Sequence, residues 1–331
     1  MTGQTRPLIA VAHQSIGDPE YVRSLFGDRA ELRYGPLTTD TEAEELTAGA
    51  DAVIVTLQPL RAERIARIAP SVRVIGRAGV GLDTIDLEAA NHRRLAVVHE
   101  PSYATAEVAN HAAALTLGIA RRILPAARMM EEGWGSATDL PTVPDLSTKT
   151  IGVIGFGAIG RAYAERMRPF FGAVQAYDPQ VPAEAITEWG AIAAPSLDAL
   201  LATSDFVSLH IPLLPQTRGI IGAAQLASMR PGSMIVNVSR GGLIDEGALA
   251  DALASGHLGG AGIDVFEQEP LPAESALRGA PNLLMTPHIA WLSADAADRM
   301  AGWTVDDVLA VLADERPPHG RLAVGADWVA V

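Results

Sequence analysis

A glycine-rich turn near the middle of the chain constrains the fold more than any other feature. The apolar run Thr150–Ile154 leads directly into Gly155–Gly160, a G-x-G-x-x-G segment that opens a helical pattern. Asp178 ends the next apolar run, 18 residues beyond Gly160. A strand, this turn, a helix and a downstream acidic residue together predict a dinucleotide-binding βαβ unit. A glycine-rich turn with an incidental aspartate is the alternative.

The three glycines have separate tasks in such a turn. Gly155 permits the tight bend, Gly157 lets the backbone approach a pyrophosphate, and Gly160 lets the helix pack closely against the strand. The start of the helix offers N–H groups and the positive end of its dipole to the anion, which brings Ala158 and Ile159 into the predicted site.

Asp178 is the residue predicted to bind the ribose. Its carboxylate can accept hydrogen bonds from the ribose hydroxyls, and it repels a 2′-phosphate. The next residues, Pro179 and Gln180, supply no arginine. The sequence therefore favours NAD (NADH) over NADP as the cofactor.

Apolar runs alternate with helical patterns along the rest of the chain, which predicts βαβ units and parallel sheets. The first series has predicted helices at 42–48 and 61–68, and predicted strands at Leu8–Ala12, Ala52–Thr56 and Val72–Ile75. The second series predicts a six-stranded doubly wound domain with strands at Thr150–Ile154, Val174–Tyr177, Phe206–Leu209, Met234–Val238, Gly260–Asp264 and Leu283–Met285. Its helices are predicted at about 158–170, 197–203, 222–229 and 245–255.

Two long helices, at about Ala104–Ile123 and Ser293–Leu312, flank the second series. The segment Glu131–Ser147 is rich in Gly, Pro and Thr and is predicted to be an exposed arm. The tail from Pro317 has no clear pattern. Because 331 residues exceed one ordinary core, we expect two domains, most simply with the second series inserted into the first.

Composition limits the partners. A net charge of −14 disfavours nucleic acid. The absence of cysteine excludes disulfides, thiolate nucleophiles and cysteine-based metal sites, and we predict no metal. The apolar run Leu8–Ala12 is too short for a signal sequence, and no apolar stretch approaches the ~20 residues that span a membrane. We therefore expect a cytoplasmic protein that binds neither nucleic acid nor membrane.

Three successive strand ends of the second series carry Arg240, Glu269 and His288. Ligands of doubly wound domains bind at the carboxyl ends of the strands. An arginine fork can hold a carboxylate, a histidine can give or take a proton, and a nearby glutamate stabilises the imidazolium form. These are the groups that hydride transfer to a 2-keto acid requires. Each one alone is common in loops, so the hypothesis depends on all three occurring together.

The chain resembles the D-isomer-specific 2-hydroxyacid dehydrogenases over nearly its whole length. The resemblance is carried by the motifs Gly76–Asp83, Gly155–Gly160, Ser208–Leu213, Val238–Glu246, Gly262–Pro270 and Thr286–Trp291. It implies an α/β fold of two Rossmann-like doubly wound domains, with the NAD-binding domain (101–290) inserted into a flavodoxin-like substrate domain (1–100 and 291–331). It also implies a homodimer formed mostly through the cofactor domains.

The resemblance also implies roles for individual residues. Arg240 would clamp the substrate carboxylate, and Glu269 would pair with the catalytic His288. The backbone of Gly79, Val80 and Gly81 would bind the same carboxylate. The cofactor residues would further include His210, Pro212, Val238, Ser239 and Asp264, with Asp264 touching the nicotinamide amide.

Two residues bear on the substrate. Arg77 is similar to an arginine that binds substrate phosphate in 3-phosphoglycerate dehydrogenases, but Thr56 stands where those enzymes have another arginine; a structural role for Arg77 is the alternative. A tryptophan at the position of Trp291 resembles family members close to the C-terminal binding proteins and some hydroxypyruvate or glycerate enzymes. It is predicted to line the substrate pocket, with a packing role as the alternative.

The sequence thus predicts an NAD-dependent D-2-hydroxyacid dehydrogenase, or 2-keto acid reductase, acting on a small acid such as glyoxylate, hydroxypyruvate or a phospho or phosphono analogue. The alternative is an NADH-sensing scaffold without turnover, as the C-terminal binding proteins exemplify. Phosphite oxidation, a third possibility, is disfavoured because Arg77–Asp83 contains no lysine.

Overall fold

The computed structural model describes residues 6–13 and 16–329. The chain divides into two compact units. The first consists of Met1–Ala104 and Leu292–Val331, and the second, Thr105–Trp291, interrupts it. Trp291, assigned from the sequence to the substrate domain, is the last residue of the second unit.

The first unit is built on a six-stranded sheet. Its strands are β1 (Leu8–Ala12), β2 (Glu31–Gly35), β3 (Ala52–Val55), β4 (Val74–Arg77), β5 (Ala96–His99) and β13 (Arg321–Val324). They lie in the order β13-β5-β4-β3-β1-β2, and all neighbours are parallel except β13, which is antiparallel to β5. The order of the five parallel strands is that of flavodoxin, as the resemblance implied.

The described residues of this unit also form five α-helices: α1 (Pro19–Phe26), α2 (Asp40–Thr47), α3 (Ala62–Arg67), α4 (Leu87–His92) and α12 (Ala294–Leu312). The long helix α12 lies against β4, where Gly76 leaves the space that it needs. A Cβ at Gly76 would come within 2.5 Å of the Val308 side chain. The glycine therefore allows this helix to close the core behind the strand.

The prediction from the sequence omitted several helices and strands of this unit and misplaced the bounds of one strand. The strands β2 and β13 lie at the two edges of the sheet, so only one neighbour covers each, and their residues mix polar with apolar types. The strand predicted at Val72–Ile75 is instead β4, which continues to Arg77. Gly76 and Arg77 do not look like strand residues in the sequence, yet both are buried.

The second unit contains seven parallel strands: β6 (Thr150–Ile154), β7 (Ala173–Tyr177), β8 (Ile192–Ala193), β9 (Phe206–Leu209), β10 (Met234–Asn237), β11 (Gly260–Ile263) and β12 (Leu283–Met285). Their order is β12-β11-β10-β9-β6-β7-β8. The prediction of six strands was wrong because β8 is a two-residue edge strand. The direction of the order reverses between β6 and β9, which is where doubly wound folds bind ligands.

The helices of the second unit are α5 (Thr105–Ala120), α6 (Ile123–Glu131), α7 (Ala158–Met167), α8 (Ala183–Trp189), α9 (Leu197–Thr203), α10 (Ala223–Ser228) and α11 (Glu246–Ala254). The helix predicted over Ala104–Ile123 ends early because Arg122 is in the left-handed region, at φ 57°. Helix α6 starts at the next residue, Ile123. The predicted arm after it is exposed, with Trp134 at 87% exposure. No helix in the described ranges has the length and apolarity to cross a membrane.

Candidate active site

The glycine turn after β6 has no room for a side chain at two of its glycines and has free space at the third. Gly155 has φ +90°, and a Cβ there would lie 2.4 Å from the carbonyl oxygen of His210. At Gly160 a Cβ would lie 2.0 Å from the carbonyl oxygen of Gly155. At Gly157 it would meet nothing within 4 Å. The turn is therefore packed against its own unit on one side and leaves room for a ligand at Gly157.

Helix α7 starts at this opening without a side chain to cap it. Gly157 occupies the N-cap position, no side chain accepts a hydrogen bond there, and the first turn has no acidic residue. Uncapped N–H groups and the positive end of the helix dipole attract an anion. The residues present thus fit the pyrophosphate of a dinucleotide, with Ala158 and Ile159 at the opening.

Asp178 follows β7 beside the turn. One carboxylate oxygen accepts a hydrogen bond from the Phe156 backbone N–H at 2.7 Å, and the other accepts one from the Gln180 N–H at 2.8 Å. A carboxylate oxygen has two acceptor sites, so each can still accept another hydrogen bond. Asp178 therefore stabilises the turn and retains the capacity to bind hydroxyls.

The neighbouring strand ends also meet here. The Ser239 hydroxyl donates to the Leu209 carbonyl at 2.7 Å, which joins the end of β10 to that of β9. Val238 is buried, and Pro212 is exposed. His210 Nε2 lies 2.9 Å from the Ser208 hydroxyl. Burial lowers the pKa of His210 to about 3, so this imidazole is neutral at physiological pH.

His288 and Glu269 form a close pair. His288 Nδ1 lies 2.7 Å from Glu269 Oε2, and Glu269 Oε1 accepts the Phe266 N–H at 2.9 Å. Burial acts to raise the pKa of Glu269, but hydrogen bonds from His288 and Phe266 and the charges of His288 and Arg240 hold it below its ordinary value. An ionised carboxylate thus lies against Nδ1, which leaves Nε2 as the proton-transfer atom.

Asp264 organises the loop that carries His288. Its carboxylate accepts hydrogen bonds from the Thr286 hydroxyl at 2.6 Å and from the Ile289 and Ala290 N–H groups at 2.9 Å. Its carbonyl accepts the His288 N–H at 2.7 Å. The resemblance assigned Asp264 to the nicotinamide amide, whereas here its side chain has no exposed surface. These bonds hold His288 at φ +55°, a conformation that costs roughly 1–2 kcal/mol.

Arg240 lies on the loop after β10. The Asn237 side-chain amide donates to the Arg240 carbonyl at 2.7 Å and accepts the Ser239 N–H at 3.0 Å, which fixes this turn. A Cβ at Gly241 would lie 1.9 Å from the Phe266 carbonyl carbon, so this loop touches the one that carries Glu269. The structure therefore brings Arg240, Glu269 and His288 together within the second unit.

The other predicted substrate residues lie in the first unit. Gly79 has φ +127°, and Val80 is 36% exposed. The Glu100 N–H donates to the Gly79 carbonyl at 3.1 Å, and His99 Nδ1 lies 2.9 Å from the Val80 carbonyl. The end of β5 therefore holds the turn Gly79–Gly81 from behind and leaves its tip exposed.

Arg77 lies beneath this turn and is only 4% exposed. Its guanidinium donates to the Ala78 carbonyl, and a Cβ at Gly79 would collide with it. The side chain thus supports the backbone of the turn. Trp291, the other residue tied to the substrate, is half-buried three positions after His288.

Sequence reasoning missed Asn237, Thr286 and His111. Asn237 carried a signal, because it is a polar residue at the end of an apolar strand. Thr286 lay inside a recognised motif but had no assigned role. His111 lies on α5, far away in sequence, and only the folded chain brings its Nε2 to 2.9 Å from the Thr286 hydroxyl. Among the residues described, no group of three His, Asp or Glu side chains could hold a metal.

Comparison with known proteins identifies the family of the chain. The family model described as "D-isomer specific 2-hydroxyacid dehydrogenase, NAD binding domain" matches residues 113–290. The D-3-phosphoglycerate dehydrogenase of Mycobacterium tuberculosis is 38% identical over 318 residues, which cover 94% of this chain and 58% of that protein. The chain therefore spans little more than half the length of that relative.

Two further similarities extend over most of both chains. The glycerate dehydrogenase of Methylorubrum extorquens is 35% identical over 288 residues, or 85% of this chain and 88% of that one. The crystal structure of a glyoxylate reductase from Paecilomyes thermophila superposes with a TM-score of 0.83 at 28% identity, covering 93% of this chain and 96% of that one. The chain belongs to the D-isomer specific 2-hydroxyacid dehydrogenase family.

Proposed function

We propose that this protein is an NAD-dependent D-2-hydroxyacid dehydrogenase that reduces a small 2-keto acid or oxidises the corresponding 2-hydroxy acid. The observation that carries the proposal is the ionised Glu269 at 2.7 Å from His288, with Arg240 on the adjoining loop. Arg240 can bind the carboxylate of a 2-keto acid, and His288, oriented by Glu269, can transfer a proton to its keto oxygen.

Bound nicotinamide dinucleotide supplies the hydride in reduction and accepts it in oxidation. In reduction, His288 Nε2–H donates a proton to the keto oxygen, and Glu269 stabilises the imidazolium from which that proton comes. In oxidation, neutral His288 accepts the hydroxyl proton through the same atom. Arg240 orients the substrate by binding its carboxylate with a planar pair of N–H donors.

The burial of Arg77 bears on the class of substrate. A guanidinium that is 4% exposed and bonded beneath its own turn does not present its donors to a phosphate. We therefore favour an unphosphorylated acid, such as glyoxylate or hydroxypyruvate. Within the turn Gly79–Gly81 of the first unit, Gly79 is buried and Val80 is exposed, and the role of this turn toward a carboxylate stays what the resemblance implies.

The test is NADH consumption with a panel of 2-keto acids: glyoxylate, hydroxypyruvate, 3-phosphohydroxypyruvate, phosphonopyruvate and branched keto acids. We expect turnover with at least one small acid and a D-configured product. NADH binding without consumption across the whole panel would instead favour the non-enzymatic scaffold. Preference for a phosphorylated acid would contradict the role given to Arg77.

The first prediction concerns the cofactor. NADH should bind more tightly than NADPH, because Asp178 accepts the ribose hydroxyls and repels a 2′-phosphate. Asp178→Ala should weaken NADH binding and reduce the difference in affinity between NADH and NADPH. Asp178→Asn is the matched control, because its amide oxygen can still accept the Phe156 N–H while the charge is lost. Titration of each variant with both cofactors measures this, and equal affinity of the unmodified protein for both would refute it.

The second prediction concerns Arg240. Arg240→Lys keeps the charge but loses the planar fork, so turnover should fall while NADH affinity changes little. We expect a loss in kcat/KM of about 10-fold or more, since geometry governs a bidentate contact. Steady-state kinetics with the best acid of the panel, beside an NADH titration, separates the two effects. Near-normal kcat/KM would remove Arg240 from this role.

We also propose that the chain forms a homodimer through its second unit. Helix α6 contains no buried residue, and it exposes Ile123 at 60% and Met130 at 56%. Trp134 follows at 87% exposure. Exposed apolar side chains grouped along one segment are typical of a protein interface. Sedimentation of the purified chain tests this, and a monomer at micromolar concentration would contradict it.

A further inference from the structure

His111 has no part in the proposed proton transfer, yet its side chain has hydrogen-bonding partners. It lies on α5, and its side chain is 20% exposed. Its Nε2 lies 2.9 Å from the Thr286 hydroxyl and 3.5 Å from Asp264 Oδ1. Both partners belong to the network that shapes the His288 loop.

The direction of these hydrogen bonds follows from their donors and acceptors. Burial favours the neutral form of Asp264, but hydrogen bonds from His111, Thr286 and the Ile289 and Ala290 N–H groups outweigh it and lower the pKa. An ionised carboxylate only accepts, so the Thr286 hydroxyl must donate to it at 2.6 Å. The Thr286 oxygen then has only acceptor sites left for His111. His111 must therefore carry its proton on Nε2 and donate to Thr286.

The fully buried Asp264 is thus the acceptor at the end of a short chain of donors. His111 donates to Thr286, and Thr286 donates to Asp264. Asp264 also receives the three backbone N–H groups of 288–290. Because His111 lies on α5 and donates to Thr286, the helix fixes the direction in which the Thr286 hydroxyl points.

We propose that His111 is a positioning residue for catalysis: it locks the Thr286 hydroxyl toward Asp264 and thereby holds the His288 loop in its left-handed conformation. This inference rests on the proposed function, because it assigns to His111 a role in a reaction that His288 carries out. His111 itself acts through Thr286 and Asp264 and exchanges no proton with substrate. Its loss should allow the loop to relax and should misplace the imidazole.

Four substitutions test the proposal. His111→Gln places an amide N–H at about the reach of Nε2, whereas His111→Asn places one at the reach of Nδ1, and His111→Ala removes the donor. His257→Ala is the control, since His257 lies in the same unit and its Nε2 is 3.1 Å from a backbone carbonyl, that of Leu226. The readouts are kcat, KM, NADH affinity and the thermal unfolding midpoint.

We expect His111→Ala and His111→Asn to lower kcat about 10–100-fold, the usual effect of a displaced catalytic group. NADH affinity and the unfolding midpoint should stay near those of the unmodified protein. His111→Gln should recover most of kcat, and His257→Ala should leave it unchanged. An unaffected kcat in His111→Ala would overturn the proposal. So would a Gln variant as impaired as Ala, or a parallel loss of kcat, NADH affinity and stability.

A second measurement needs neither substrate nor cofactor. Hydrogen exchange of the Ile289 and Ala290 amides, both bonded to Asp264, should be faster in His111→Ala and restored in His111→Gln. Unchanged exchange in His111→Ala would refute the role of His111 even if the enzyme is active. Accelerated exchange in a chain that consumes no keto acid would instead uphold the structural link and refute the proposed function.

Discussion

Replacing His288 with alanine is expected to lower kcat/KM for keto-acid reduction by about 10²–10⁴-fold, the range usual for a lost general acid. The reason is that His288 Nε2 is the proton donor, while the other ring nitrogen, Nδ1, is hydrogen-bonded to Glu269 at 2.7 Å. NADH affinity should change little, because the cofactor turn lies elsewhere in the unit. Steady-state rates and an NADH titration check both parts.

The matched control is the double variant. If Glu269 acts only through His288, then adding Glu269→Gln to His288→Ala should cost little beyond the single change. A double variant that is further impaired by the full cost of Glu269→Gln would mean that the two residues act independently. A fully active His288→Ala would overturn the mechanism.

Replacing Glu100 with glutamine is expected to change stability strongly and in a pH-dependent way. Glu100 and Asp307 are both fully buried in the first unit. The Asp307 carboxylate accepts the backbone N–H groups of His319 at 3.0 Å and Gly320 at 2.6 Å. Burial, the charge of Asp307 and a hydrogen bond to Asp307 raise the pKa of Glu100 from 4.5 to about 9. Glu100 is therefore protonated in the folded protein at neutral pH.

The sign of the effect follows from this difference. Between pH 4.5 and about 9 the folded state holds a proton that the unfolded state has released. The contribution of Glu100 to stability should therefore be complete below pH 4.5 and fall by up to about 1.4 kcal/mol per pH unit as pH rises toward 9. Glutamine resembles the protonated carboxyl group and has no charge to form, so Glu100→Gln should remove this contribution and stabilise the protein most at alkaline pH.

Urea unfolding of both proteins from about pH 5 to about pH 8.5 measures the difference in slope. Glu88→Gln is the control, since the Glu88 side chain is 87% exposed in the same unit, and it should leave the profile unchanged. The same pH dependence in Glu100→Gln and in the unmodified protein would show that Glu100 is ionised in the folded state.

The cofactor turn could be predicted from the sequence because its requirements are local. Gly155 needs a positive φ of its own, Gly160 meets the carbonyl of Gly155 only five residues earlier, and helix α7 begins where the pattern placed it. The edge strands could not be predicted in this way. The strand β13 pairs with β5 across more than 200 residues, and a mixed polar and apolar segment gives no sign of a partner so distant.

In the candidate site, too, some residues could be predicted from the sequence and others could not. Arg240, Glu269 and His288 occur on successive strand ends, so a parallel sheet brings them together once its order is known. The residues that hold them do not follow this rule. His111 reaches Thr286 from a helix 175 positions earlier, and the burial of Asp264 depends on how the whole 286–290 loop folds over it. Nor does the sequence indicate that Arg77 points beneath its turn.

The most direct test of the central claim is the pH dependence of kcat/KM for reduction in the unmodified enzyme and in Glu269→Gln. Glu269 keeps its charge because its pKa is held below the ordinary value, and that charge stabilises the imidazolium that donates the proton. Reduction should fall at alkaline pH as the imidazolium is lost, and Glu269→Gln should move this fall to lower pH. An alkaline limb that does not shift would contradict the pairing of Glu269 with His288 and, with it, the proposed mechanism.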